Sequence, residues 1–161
     1  MGYCMHQVDS KFFISNTVLS NVRAAINALM ARAIFEPQGK FRWVDTDTVL
    51  NAASVQDQFK EWMWRPVLDA EGNIVKLQFD GEKAGDEFEL LRAIAPYVKA
   101  GSYIDMAGEE GCNWRWYFDG ANCVELEPTV SYDMPHGDII EVEARELPDT
   151  PRLPGQPKRL T

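Results

Sequence analysis

At 161 residues, with 45% hydrophobic residues including five Trp and eight Phe, the chain has the size and apolar content of one domain with a substantial core. Its 25 acids against 16 bases give a formal charge of -9, and the excess sits in residues 101–150, where twelve acids meet only Arg115 and Arg145. Such a segment excludes direct nucleic-acid binding there, because phosphate affinity comes mainly from Lys and Arg, and it suits a basic partner instead.

No apolar run approaches the roughly 20 residues of a membrane span, and residues 1–10 lack the basic-then-apolar layout of a signal peptide. The expectation is a cytoplasmic protein. Cys4, Cys112 and Cys123 are odd in number and show neither CxxC nor Cys/His ligand spacing, so reduced thiols are expected, with no disulfide framework, metal or cofactor.

In chain order, Lys11–Ile14 reads as a short strand, followed by Asn16 and Thr17 as candidate caps of a helix with Val18, Val22, Ile26, Leu29 and Ala33 on one face. Pro37-Gln-Gly39 ends that helix, Lys40–Val44 is a candidate strand, and Asp45 caps a short helix containing Val49 and Leu50. Ser54 with Asp57 forms a capping box for a brief helix that brings Phe59 and Trp62 to one side. Trp64–Leu68 and Asn73–Phe79 are two extended runs joined by Asp69-Ala-Glu-Gly72, a hairpin. Asp86 is a candidate cap for a helix with Phe88, Leu91, Ile94 and Ala95 buried, stopped by Pro96.

Gly101 opens a strand-rich region that ends near Ala144 or Leu147, and residues 148–161, with four prolines and three basic residues, read as a tail. The predicted fold is therefore α+β, over residues 1–147. A mostly antiparallel sheet with a C-terminal β-meander packs against two main helices.

Register in that meander decides which side chains share a face. A five-residue loop, Gly108–Cys112, pairs Ile104 with Trp116 and Met106 with Trp114. For the next turn, a loop of Gly120, Ala121 and Asn122 pairs Trp114, Trp116 and Phe118 with Pro128, Leu126 and Val124. A two-residue loop would instead put Glu127 and Glu125 against the tryptophans, and the desolvation of two carboxylates argues against it. The chosen register gives one face with Tyr103, Asp105, Arg115, Tyr117, Glu125 and Glu127, with Arg115 between Asp105 and Glu127. Glu141 and Glu143 join it if Ile140 and Val142 point inward, and Glu109 and Glu110 lie in the preceding loop. The same register holds Cys112 and Cys123 apart.

Catalytic signatures are missing around His6 and His136. Asp45-Thr-Asp47 lacks the Gly and Glu of a calcium loop and reads as a cap, and Gly108-Glu-Glu-Gly111 presents negative charge where a phosphate needs donors. Trp114, Trp116 and Phe118 alternate with Arg115 and Tyr117, the pattern of core residues more than of a base-stacking platform.

Met1-Gly-Tyr3, Gly72-Asn-Ile-Val, Ile94-Ala-Pro-Tyr-Val, Gly101-Ser-Tyr-Ile and Gly108-Glu-Glu-Gly-x-x-Trp114-Arg-Trp together resemble a group of small α+β proteins of bacteria, phages and mobile elements, over residues 1–133. The resemblance implies a mobile-element setting and assigns no activity or site residue. The leading expectation is a non-enzymatic acidic interaction protein that docks on a basic protein surface, as a nucleic-acid mimic inhibiting a host nucleic-acid-binding defence protein. The alternative is a small-ligand or nucleotide-sequestering module with a pocket lined by Trp62, Trp64 and Tyr97.

Overall fold

The computed structural model describes residues 2–35, 40–133 and 139–140. In chain order the elements are β1 (Met5–Lys11), a 3-10 turn (Asn16–Val18) running into α1 (Leu19–Phe35), α2 (Thr46–Asn51), α3 (Val55–Glu61), β2 (Trp64–Leu68), β3 (Ile74–Phe79) and α4 (Glu87–Ile94). After a second 3-10 turn (Ala95–Tyr97) come β4 (Tyr103–Gly108), β5 (Asn113–Phe118), β6 (Cys123–Leu126), β7 (Tyr132–Asp133) and β8 (Ile139–Ile140). The class is α+β, as expected: a four-stranded antiparallel sheet in the order β1-β4-β5-β6, a separate β2-β3 hairpin, and α1 against α4. The chain divides into two compact units, Met1–Pro128 and Thr129–Thr161. The expectations for the Pro37–Gly39 turn, His136, Glu141, Glu143 and the 148–161 tail fall outside the described residues.

Short-range bonds form the helix starts much as the sequence suggests. Asp45 accepts the backbone N–H of Thr48 at 2.8 Å, and Ser54 Oγ accepts that of Asp57 at 3.1 Å. The cap before α1 is Ser15, one residue earlier than expected, while Asn16 donates to the Glu71 carbonyl at 2.6 Å and so ties the helix to the β2-β3 loop. Val22, Ile26, Leu29, Met30 and Ala33 are buried along α1. With its leading turn this helix spans 20 residues at a mean hydropathy of 1.2, enough by length and composition to cross a membrane. Asn21, Arg23, Asn27 and Arg32 interrupt its apolar run, and its apolar stripe lies in the core.

Three local expectations fail where distant partners take over. Met5–Lys11 is a strand, although it carries His6, Gln7, Asp9 and Ser10, because β4 supplies the pairing; the expected strand at 11–14 is reduced to an Ile14–Ile74 bridge. Lys40–Val44 is a turn, with Trp43 at φ 64°. Asp86, the expected cap of α4, instead accepts the Arg42 backbone N–H at 2.6 Å and makes no cap bond.

A bulge at Val8 interrupts the β1-β4 pairing, and the neighbouring Gln7 amide stands in for a missing strand. It donates to the Leu77 carbonyl at 3.0 Å and accepts the Phe79 N–H at 2.8 Å, joining the main sheet to the hairpin. Gln7→Leu leaves both β3 groups without that partner and should cost about 1–3 kcal/mol, read as a lower urea midpoint at unchanged slope.

The meander contains the largest correction. β4 and β5 pair as expected, Ile104 with Trp116 and Met106 with Trp114. β5 and β6, however, adopt the rejected register, with Trp116 opposite Glu125 and Phe118 opposite Cys123. The Asp119 carboxylate accepts the N–H groups of Ala121 and Asn122 at 2.8 and 2.7 Å, which closes this tighter loop around Gly120 at φ 98°. The desolvation that argued against it does not arise, because β6 is an edge strand: Glu125 is exposed and accepts the Trp116 indole N–H at 2.8 Å.

Candidate functional site

The outward face of the sheet holds Tyr103, Asp105, Arg115 and Tyr117, but not Glu125. Arg115 makes a two-bonded pair with Asp105 at 2.6 and 2.8 Å and lies 3.9 Å over the Tyr103 ring, whose hydroxyl donates to Asp9 at 3.0 Å. That hydrogen bond to Asp9 raises the Tyr103 pKa, and the one to Asp105 raises that of Arg115. With Val124 and Leu126 on β6 facing the same way and Lys11 on β1 opposite Tyr103, the face is a closed network of mixed charge. The expected carboxylate-rich face is therefore split: Asp105 is already answered by Arg115, Glu125 faces the other side, and Glu127 lies exposed beyond the end of β6.

The carboxylates gather instead at the end of the sheet where β4 turns into β5. A cavity of about 390 Å³ opens there, walled by Tyr3, Phe88, Trp114 and Trp116 and bearing Glu87 and Glu125. Trp114 meets Trp116 edge-on at 5.9 Å between ring centres, and Phe88 stacks on Trp116 at 6.5 Å. Tyr3 lies over Gly108, so close that a Cβ on that residue would collide with the ring, and beside Glu110 and Cys112. Glu109 neighbours the Cys4 thiol, and loss of water first, then Glu109, raises its pKa. Of the predicted residues, Glu125 lines the cavity and Glu110 lies beside its Tyr3 wall, whereas Glu109 sits against Cys4, which is not part of the lining.

Glu87 is the residue that the sequence did not single out. It is 7% exposed in the first turn of α4. One oxygen accepts the Gly85 N–H at 2.8 Å, and among the described residues no cation lies within ion-pair reach. Burial raises its pKa. The nearest basic residue in sequence, Lys83, holds its ammonium 5.5 Å from the centre of the Trp43 ring. Trp114 Nε1 is buried without a hydrogen-bond partner among the described residues. The only signal in the sequence was Glu87's place between Gly85 and a helical apolar stripe, which looks like ordinary N-terminal helix charge.

A second cavity of about 570 Å³ lies between α1 and α4, where Arg32 and Arg92 flank Glu89 at 3.4 and 3.6 Å over a floor of alanines. Neither cavity is lined by Trp62, Trp64 or Tyr97: the two tryptophans are 2% and 0% exposed and belong to the core, which corrects the expected ligand pocket. Cys4 and Cys112 are exposed free thiols, whereas Cys123 is buried and its pKa pushed up to about 12 by loss of water. His6 is exposed on β1, and among the described residues no group of three His, Cys, Asp or Glu is placed to hold a metal. No protein family, curated protein or solved structure matches this chain.

Proposed function

We propose that this is a non-enzymatic interaction protein that docks on a basic partner surface through the acidic end of its sheet. The observation that carries the reading is that Glu125, from an edge strand, and the buried Glu87 line one cavity, with Glu110 of the adjoining turn beside its Tyr3 wall. A basic surface answers such a cluster, and complementary potential speeds encounter at low salt. The mobile-element resemblance puts forward a nucleic-acid-binding defence protein of the host as the partner class. Carboxylates ringing a cavity suit the capture of individual cationic side chains better than imitation of a phosphate run along a strand. The α1-α4 groove supports a nucleotide-sequestering function less well, since Glu89 already meets both guanidinium groups there.

The test is retention on immobilised poly-lysine across a salt gradient. The wild-type protein should be held at low salt and released as salt rises, and the Glu109→Lys, Glu110→Lys, Glu125→Lys triple variant should pass through. A charge-matched control reversing Asp47, Glu61 and Glu71 should still be retained. Equal behaviour of the two triple variants would reduce the interaction to net charge and remove the proposed surface.

A further inference from the structure

We infer that the cavity beside α4 receives a single lysine or arginine side chain of the partner, with the aromatic walls on its stem and Glu87 at its charged head. This rests on the docking reading and names the chemistry of its central contact. Tyr3 and Trp114 wall the cavity with Phe88, which stacks on the buried Trp116 and carries Arg92 over its ring at 5.8 Å; aromatic walls attract cations and cover methylene groups, and about 390 Å³ admits a long side chain. An apolar guest would satisfy those rings but not Glu87, a carboxylate 7% exposed with no cation within reach among the described residues. An anionic guest would meet Glu87 and Glu125 head-on. A cationic head on an apolar stem satisfies walls and carboxylate together, and the exposed Glu125, fixed by the Trp116 indole, supplies a second acceptor at the entrance.

The probe is a blocked seven-residue Gly/Ser peptide with one central arginine or lysine, compared with the same peptide carrying citrulline or acetyl-lysine. Tryptophan fluorescence reports occupancy through Trp114 and Trp116, and alkylation of Cys112, which also lines the cavity, reports it independently with Cys4 as the reference thiol. The cationic peptides should quench saturably and protect Cys112, and the neutral ones should bind at least about tenfold more weakly. Glu87→Gln, which keeps the acceptor for the Gly85 N–H, and Ala84→Leu, which fills the cavity from its wall, should each weaken the cationic peptides by about tenfold or more while circular dichroism shows a folded protein. Equal binding of neutral and cationic peptides, no saturable binding, or undiminished binding by both folded variants overturns the inference. Poly-lysine retention separates the two failures. If both cavity variants are retained like wild type while the peptides fail, only the side-chain pocket falls; if wild type itself is not retained, the docking reading falls with it.

Discussion

Trp64→Ala should lower unfolding free energy by about 3–5 kcal/mol, a large share of the roughly 5–15 kcal/mol that holds a typical domain folded. Trp64 is 0% exposed at the start of β2 and stands at the junction of hairpin and sheet, with Phe79 at 4.9 Å and Trp116 at 6.2 Å between ring centres. Removing it opens a cavity on two aromatic faces that rigid strands cannot close. Its indole N–H has no acceptor among the described residues, so Trp64→Phe forfeits little polar bonding and should cost far less, about 1 kcal/mol. Urea titrations of the two variants provide the comparison, and a cost below about 1 kcal/mol for the alanine variant would mean that the hairpin is not anchored through this residue.

The second effect has the opposite sign: Glu87→Gln should stabilise the protein at neutral pH. Burial raises the folded-state pKa of Glu87 above its usual 4.5, so the folded protein holds that proton more tightly than the unfolded chain. Below the unfolded pKa both states are protonated and there is no penalty. As pH rises from there to the raised folded value the unfolded chain ionises first and stability drains away, and above it the whole penalty is present. Wild type should therefore lose stability relative to Glu87→Gln across that interval, reaching a difference of about 1 kcal/mol, or about 2–4 °C in Tm, at neutral pH.

The Gly85 N–H and the helix N-terminus offset part of the cost, which is why the figure stays small. Among the described residues, the other ionisable groups lining the cavity are Glu125, Tyr3 and Cys112, with Asp86 adjacent in the chain; Arg92 lies over the ring of the neighbouring Phe88 and makes no ion pair with Glu87. Asp45, Asp57, Asp69 and Asp119 run the other way, since hydrogen bonds to their carboxylates lower their pKa values and their contributions are lost as pH falls. Only the difference between variant and wild type isolates Glu87. A pH-independent difference would place the carboxylate in a well-solvated setting, one that grows in acid would mean that hydrogen bonds hold its pKa down, and either would take away the reason for its needing a cationic guest.

Features closed by bonds within a few residues could be read from the chain alone. The Asp45 cap, the Ser54-Asp57 box and the Asp69–Gly72 turn each satisfy backbone groups with a side chain no more than four positions away. Alternation also placed β4 against β5, because both strands are central and a one-residue slip would exchange Ile104 and Met106 for Asp105 on the core side. That logic broke at β6, where the cost of facing Glu125 toward the core side depended on whether its strand lay inside the sheet or at its edge. It broke again at β1, whose polar residues pair only because β4, roughly a hundred positions on, is there to receive them.

The candidate site belongs to this second kind. Glu110 and Glu125 stand out as acids in an acidic segment, but their meeting with Tyr3, Phe88 and Glu87 needs the N-terminal strand, the start of α4 and the sheet end to be brought together. Charge and periodicity are properties of neighbours along the chain. Burial of one carboxylate among four rings is a property of elements that meet only in the folded protein, and tertiary packing alone decided it.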